Sequence, residues 1–232
     1  MRPERFTTST AMSNIVRAPQ VINIPLSCLA EYMTSGYARQ RTVLQEFKYP
    51  QSDTSQARIK YYQDARDTLY SYHKNDLDRS WLTHQAASLE SLGAVEQGNR
   101  RTRLENNARA LRAYENFFGS KSYEVLTLPK WKLTFSTVKV IVRPDLYVAE
   151  NDLPKAIKFE FGTKAPKPEL IKIISQCMLE AAHQAGNSLP SGSVLFFDVP
   201  RGAIHKGARI GALMKRNIEA ACLSIEAIWP TI

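Results

Sequence analysis

The stretch VKVIVRPDLYVAENDLPKAIKFEFG, residues 138–162, decides the fold. β-Branched and aromatic residues alternate with polar ones through VKVIV (138–142), DLYVAE (145–150) and KAIKFEF (155–161), the period-two signature of half-buried strands. The short AENDLP segment predicts a tight reversal that makes the strand ending near Val142 and the strand through Phe159 neighbours. Along the third run Ile157, Phe159 and Phe161 point one way while Lys158, Glu160 and Gly162 point the other. A carboxylate and an ammonium thus share a face, and a carboxylate on the inner face of a sheet needs a partner or a cation.

Around this stretch the period changes twice. YEVLTL (123–128) and WKLTF (131–135) read as further strands before it. After PKP (166–168) the pattern is helical, with Leu170, Ile173, Ile174, Cys177, Met178, Ala181 and Ala182 on the buried side, until GNSLPSG (186–192) closes it. SVLFFDV (193–199) is a nearly continuous apolar strand of the sheet-interior type, and a helix over about 208–225 follows. On the other side, Leu104, Ala108, Leu111, Glu115 and Phe118 recur at steps of three and four on one helix face, which places Glu115 within an apolar stripe. Gly119 then ends that helix, as a residue free to take positive φ. Residues 26–118 read as helical throughout, broken at KYPQSD (48–53), KNDLD (74–78) and GAVEQGN (93–99). The expected organisation is a flexible arm over 1–21, a helical region over 22–100 and an α/β core over 101–232. That core runs helix, three-strand meander, helix, strand, helix, around one mixed sheet with helices on both faces.

Composition narrows the function. The 232 residues carry a net charge of +9, and the excess is spread over both halves, with sixteen Lys and Arg against twelve Asp and Glu in residues 1–120 and fifteen against ten thereafter. Such a balance favours contact with polyanions. Cys28, Cys177 and Cys222 lie far apart without a CxxC pair, which argues against a disulfide framework or a zinc cluster and for a reducing compartment. No run approaches the roughly 20 apolar residues of a membrane helix, and MRPERFTTSTAMS lacks the apolar stretch of a secretory signal, so a cytoplasmic protein without membrane contact is expected. No GxxxxGK[ST], GxGxxG or GxSxG is present, so ATP-driven and serine-hydrolase readings have no support. His73, His84, His183 and His205 show no ligand spacing.

RPD at 143–145 followed by FEFG at 159–162 resembles the PD-(D/E)XK nuclease superfamily, particularly its RecB-like and Cas4-like branch. That signature places an aspartate after proline on one strand and acid-X-lysine on the next. The order of elements over about 110 residues carries the same resemblance. Gly162 stands where the family has its lysine, so the motif lysine is displaced, with Lys158 and Lys164 near enough to substitute. Gln176 matches the first half of a Gln-x-x-x-Tyr pattern on the following helix, but Glu180 stands in place of the tyrosine.

The resemblance implies a restriction-endonuclease-like core and Mg²⁺- or Mn²⁺-dependent hydrolysis of DNA phosphodiesters, in DNA repair, recombination or defence against foreign DNA. Asp145 and Glu160 would hold the metal, Lys158 or Lys164 would position water, and Glu115 is a candidate third metal ligand. Gln176 and the basic PRGAIHKGARIGALMKR segment (200–216), with Arg201, Lys206 and Arg209, are candidate nucleic-acid contacts. Each residue also has a plainer reading: RPD as an ordinary turn, Glu115 as the edge of a helix stripe, Gln176 on an exposed polar face with Glu169, Lys172, Glu180 and His183, and the basic segment as solvated surface. The alternative function is a catalytically inactive module of the same fold that binds nucleic acid or a protein partner in a larger assembly.

Overall fold

The computed structural model describes residues 20–50 and 60–232. The expected arm therefore lies almost wholly outside the described residues, as does the second half of KYPQSD (51–53). Among the described residues of the first half are five helices: α1 (Leu26–Thr34), α2 (Tyr37–Lys48), α3 (Gln63–Lys74), α4 (Arg79–Val95) and α5 (Gly98–Phe118). The boundary drawn between residues 100 and 101 falls inside α5. Gly119 caps α5 at φ −65°, not in the left-handed region. Its need for glycine is steric instead, since a Cβ there would sit 2.5 Å from the Glu115 carbonyl oxygen.

The second half is mixed α/β, with its strands in two sheets rather than one. The first sheet has the order β1 (Ile22–Pro25), β4 (Val138–Val142), β3 (Trp131–Phe135), with β1 parallel and β3 antiparallel to β4. The second has the order β2 (Glu124–Val125), β5 (Leu146–Glu150), β6 (Leu153–Glu160), β7 (Val194–Asp198), β8 (Ala203–Lys206). Within it β6 and β7 are parallel and the other neighbours antiparallel. The strand ending at Val142 is thus not the neighbour of the strand through Phe159; Arg143 and Pro144 carry the chain from the first sheet to the second. Proline has no N–H to give a ladder and suits such a strand end.

The reversal between β5 and β6 is the expected one. Asn151 and Asp152 both hold positive φ, 52° and 61°, as the central residues of a type I′ hairpin require. Between β6 and β7 the chain crosses over through α6 (Pro168–Gln184), and α7 (Ala212–Ile228) follows the last strand. Two strands, β1 and β8, and the late start of α7 at Ala212 differ from the expectation.

Alternation along the strands sorts side chains into two cores. Leu146, Val148, Ile157, Phe159, Leu195 and Phe197 face the layer of α3, α4 and α5. On the opposite face Ala156, Val194 and Phe196 pack with α1, α6, α7 and the first sheet. The second sheet is therefore covered on both sides, which is why β7 is buried at every position. Trp131, Phe159, Phe161, Phe196 and Trp229 are buried and fill these cores, with Phe135 packed at the margin.

Candidate functional site

Three strand ends meet at one edge of the second sheet. β6 and β7 run parallel and finish at Glu160 and Asp198, which are register partners. β5 runs the other way and begins beside them, immediately after Asp145. Carboxyl ends of parallel strands are where open α/β sheets place their ligand sites.

Asp145 ends the β5–β6 ladder. Its N–H donates to the Ile157 carbonyl at 2.9 Å. One step further Pro144 has replaced the next ladder residue, and the Asp145 carboxylate takes over by accepting from the Phe159 N–H through Oδ2 at 2.9 Å. Oδ1 accepts from Lys158 Nζ at 2.9 Å and lies 3.3 Å from Arg66 Nε on α3. The Arg66 guanidinium also stacks over the Phe161 ring, 5.5 Å from its centroid. Only 10% of the Asp145 side chain is exposed, so these donors are what its charge sees.

Glu160 is the last residue of β6. Its Oε1 accepts from the Gly162 N–H at 2.7 Å, and the other oxygen has no hydrogen-bond partner among the described residues. A Cβ at 162 would lie 2.7 Å from that Oε1, so a side chain there would push the carboxylate off the amide. Gly162 and the present pose of Glu160 go together. The Tyr62 phenol next to α3 is held above its ordinary pKa by burial first, then by the charges of Tyr61 and Glu160. It stays neutral at neutral pH.

Asp198 was not singled out by sequence reasoning. It is 3% exposed, and Arg201 Nη1 reaches both of its oxygens, at 2.8 and 3.1 Å. Arg201 Nη2 also donates to the Thr163 carbonyl, tying the segment after β6 to the turn after β7. A charged residue closing an otherwise apolar run, SVLFFDV, was the available signal. Arg66 had none, because its partner stands far along the chain.

The other candidates divide. Lys158 joins Asp145; Lys164 is exposed in the segment after β6. Glu115 is not part of this group: its Oε1 accepts from Arg79 Nε at 2.6 Å, in the α4–α5 layer, and its side chain is 23% exposed. Gln176 corrects the expectation of an exposed face. It is 6% exposed, because the connection from β8 to α7 covers it, and its Nε2 donates to the Arg209 carbonyl at 3.2 Å. Lys206 and Arg209 are exposed nearby.

Among the described residues no group of three or more His, Cys, Asp and Glu side chains is placed to hold a metal ion. Cys28, Cys177 and Cys222 are buried, and burial pushes each thiol up to about 12, so none is a nucleophile at neutral pH. No helix among the described residues is long and apolar enough to cross a membrane. No family model matches the chain, and a search of curated proteins returns no match.

Proposed function

We propose that the chain hydrolyses DNA phosphodiesters with Mg²⁺ or Mn²⁺ at the edge formed by Asp145 and Glu160, as a nuclease of the PD-(D/E)XK kind. The observation that supports it is the gathering of Asp145, Lys158 and Glu160 at one end of paired strands. Two carboxylates fit a hard cation of this type, since Mg²⁺ commonly takes one or two carboxylates and completes its shell with water and substrate phosphate. Glu160 keeps one oxygen without a hydrogen-bond partner among the described residues for that purpose. Such an ion supplies Lewis-acid stabilisation of the charge on the phosphate.

The chain's own residues do the rest. Arg66 and the Phe159 N–H fix the Asp145 carboxylate. Lys158 is the ammonium nearest the acids and orients the attacking water, a role for which Lys164 is the less favoured candidate. Arg201, paired with Asp198, and Gln176 and Lys206, in the pocket that Asp198 also lines, position the strand, and Arg209 contacts it farther along. Repair, recombination or defence against foreign DNA is the setting this chemistry suits.

One observation favours the second reading, an inactive module that binds nucleic acid or a protein partner. Asp145, Glu160 and Asp198 are balanced by Lys158, Arg66 and Arg201, so the edge carries no net negative charge to draw a cation. Incubation with single- and double-stranded DNA in Mg²⁺ or Mn²⁺ separates the two. Fragments from either substrate are expected; a chain inert on both belongs to the second reading.

A further inference from the structure

Beside the candidate edge lies a pocket of about 560 Å³ between α6, the turn after β7 and β8. Its size falls within the roughly 300–1,000 Å³ of sites that enclose a small molecule. Ala165, Pro166, Pro168, Ile171, Ala203 and Ala208 give it apolar walls. Lys172, Arg201 and Lys206 stand exposed around it, and the half-buried His205 ring lines one side. The only acid in the lining is Asp198, which Arg201 already neutralises.

Two polar side chains of the lining are buried without satisfaction. Ser175 is 2% exposed and its hydroxyl has no partner among the described residues; Gln176 is 6% exposed and its Oε1 has none among them. Burying such atoms costs free energy unless a partner arrives. The Gln176 amide nitrogen is already used on the Arg209 carbonyl, so the open atom is an acceptor. Both unpartnered atoms are sealed from solvent, so an N–H donor on a ligand with an apolar or aromatic body reaches them only when the side chains turn into the pocket. The exposed cations ask for an anion on the same ligand.

We infer that this pocket receives one unpaired nucleotide of a DNA strand, with its base between the apolar walls and His205 and its phosphate on Lys172 and Lys206. A base has the π-face that apolar walls and a histidine ring accept, and an N–H edge for Gln176 and Ser175. The phosphate supplies the anion. A base held in a duplex stack cannot enter a concave pocket without leaving its partner, so the preferred ligand is single-stranded. Asp198 lines the pocket and is the register partner of Glu160, which sets the bound nucleotide on the side of Glu160. As a statement of substrate class this rests on the phosphodiesterase reading; as a statement of binding it does not.

The test is run in EDTA, where hydrolysis has no part. Fluorescence anisotropy compares a labelled single strand of about twelve nucleotides, within the site sizes of single-strand binders, with the blunt duplex of the same sequence. The single strand should bind about tenfold or more tightly than the duplex, and the double variant Lys172→Glu with Lys206→Glu should weaken it by about tenfold or more. A single strand carrying 2-aminopurine should brighten on binding as the base leaves its stack, and less so with Gln176→Leu. Because Gln176 is buried, the exposed lysine pair keeps the test decisive should that variant unfold. Equal binding of duplex and single strand, or a lysine pair without effect, overturns the inference. Single-strand preference without cleavage on adding Mn²⁺ leaves the pocket standing and removes the nuclease reading; cleavage without that preference does the reverse.

Discussion

Lys158 Nζ donates to Asp145 Oδ1 at 2.9 Å across the β5–β6 pair, so the ammonium reaches the acid from the strand that carries Glu160. A side chain two residues after Glu160 would displace the Glu160 carboxylate from the Gly162 N–H. A lysine two residues before Glu160 points to the same side, which is how strand periodicity allows the charge to move along the motif.

Lys158→Ala is accordingly expected to lower single-turnover DNA cleavage by a factor on the order of 10² or more, as loss of a preorganised electrostatic contact does. Lys164→Ala, at an exposed position, should change it severalfold at most. Equal losses in the two variants would remove Lys158 from the role.

Phe197 tests the sheet interior. It is fully buried, with its ring centroid 4.6 Å from Phe118 and 5.9 Å from Phe159, so it joins β7 to α5 and to β6. Phe197→Ala should lower the unfolding free energy by about 3–5 kcal/mol, read from the urea midpoint at constant m value. A loss below about 1 kcal/mol would contradict the placement of this ring.

Acid stability should report His73. Its ring is buried, its Nε2 lies 2.7 Å from the Tyr114 hydroxyl, and burial lowers its pKa from 6.5 to about 4. Between those values the unfolded chain binds the extra proton and the folded chain does not. This contribution is therefore complete above pH 6.5 and is lost as pH falls towards about 4, amounting to roughly 3 kcal/mol at most. Urea titrations at pH 7 and pH 4.5 should show a smaller acid loss for His73→Gln than for the parent chain. Identical losses would place the acid sensitivity elsewhere.

Much of this architecture is legible in particular residues. The alternation in KAIKFEF sorts Phe159 and Phe161 from Lys158 and Glu160, and Asn151 with Asp152 marks the hairpin. Periodicity reports which face a residue occupies but not which strand lies beside it, so the passage from the first sheet to the second at Arg143 and Pro144 is invisible in it. The four-residue β1 is too short for a period to show, and its partner β4 lies in the other half of the chain. The helical wheel puts Gln176 among charged neighbours, yet the backbone at Arg209 covers it, an effect of distant chain that no local pattern holds. Arg66 and the Asp198–Arg201 pair belong to the same class of long-range relationship.

The central claim is that Asp145 and Glu160 together form the reactive centre. It is tested most directly by comparing DNA cleavage in Mn²⁺ by the parent chain and by Asp145→Ala with Glu160→Ala, both checked for native circular dichroism. Cleavage by the parent and none by the double variant is the expected result. Cleavage that persists in the double variant at the parent's rate would contradict it.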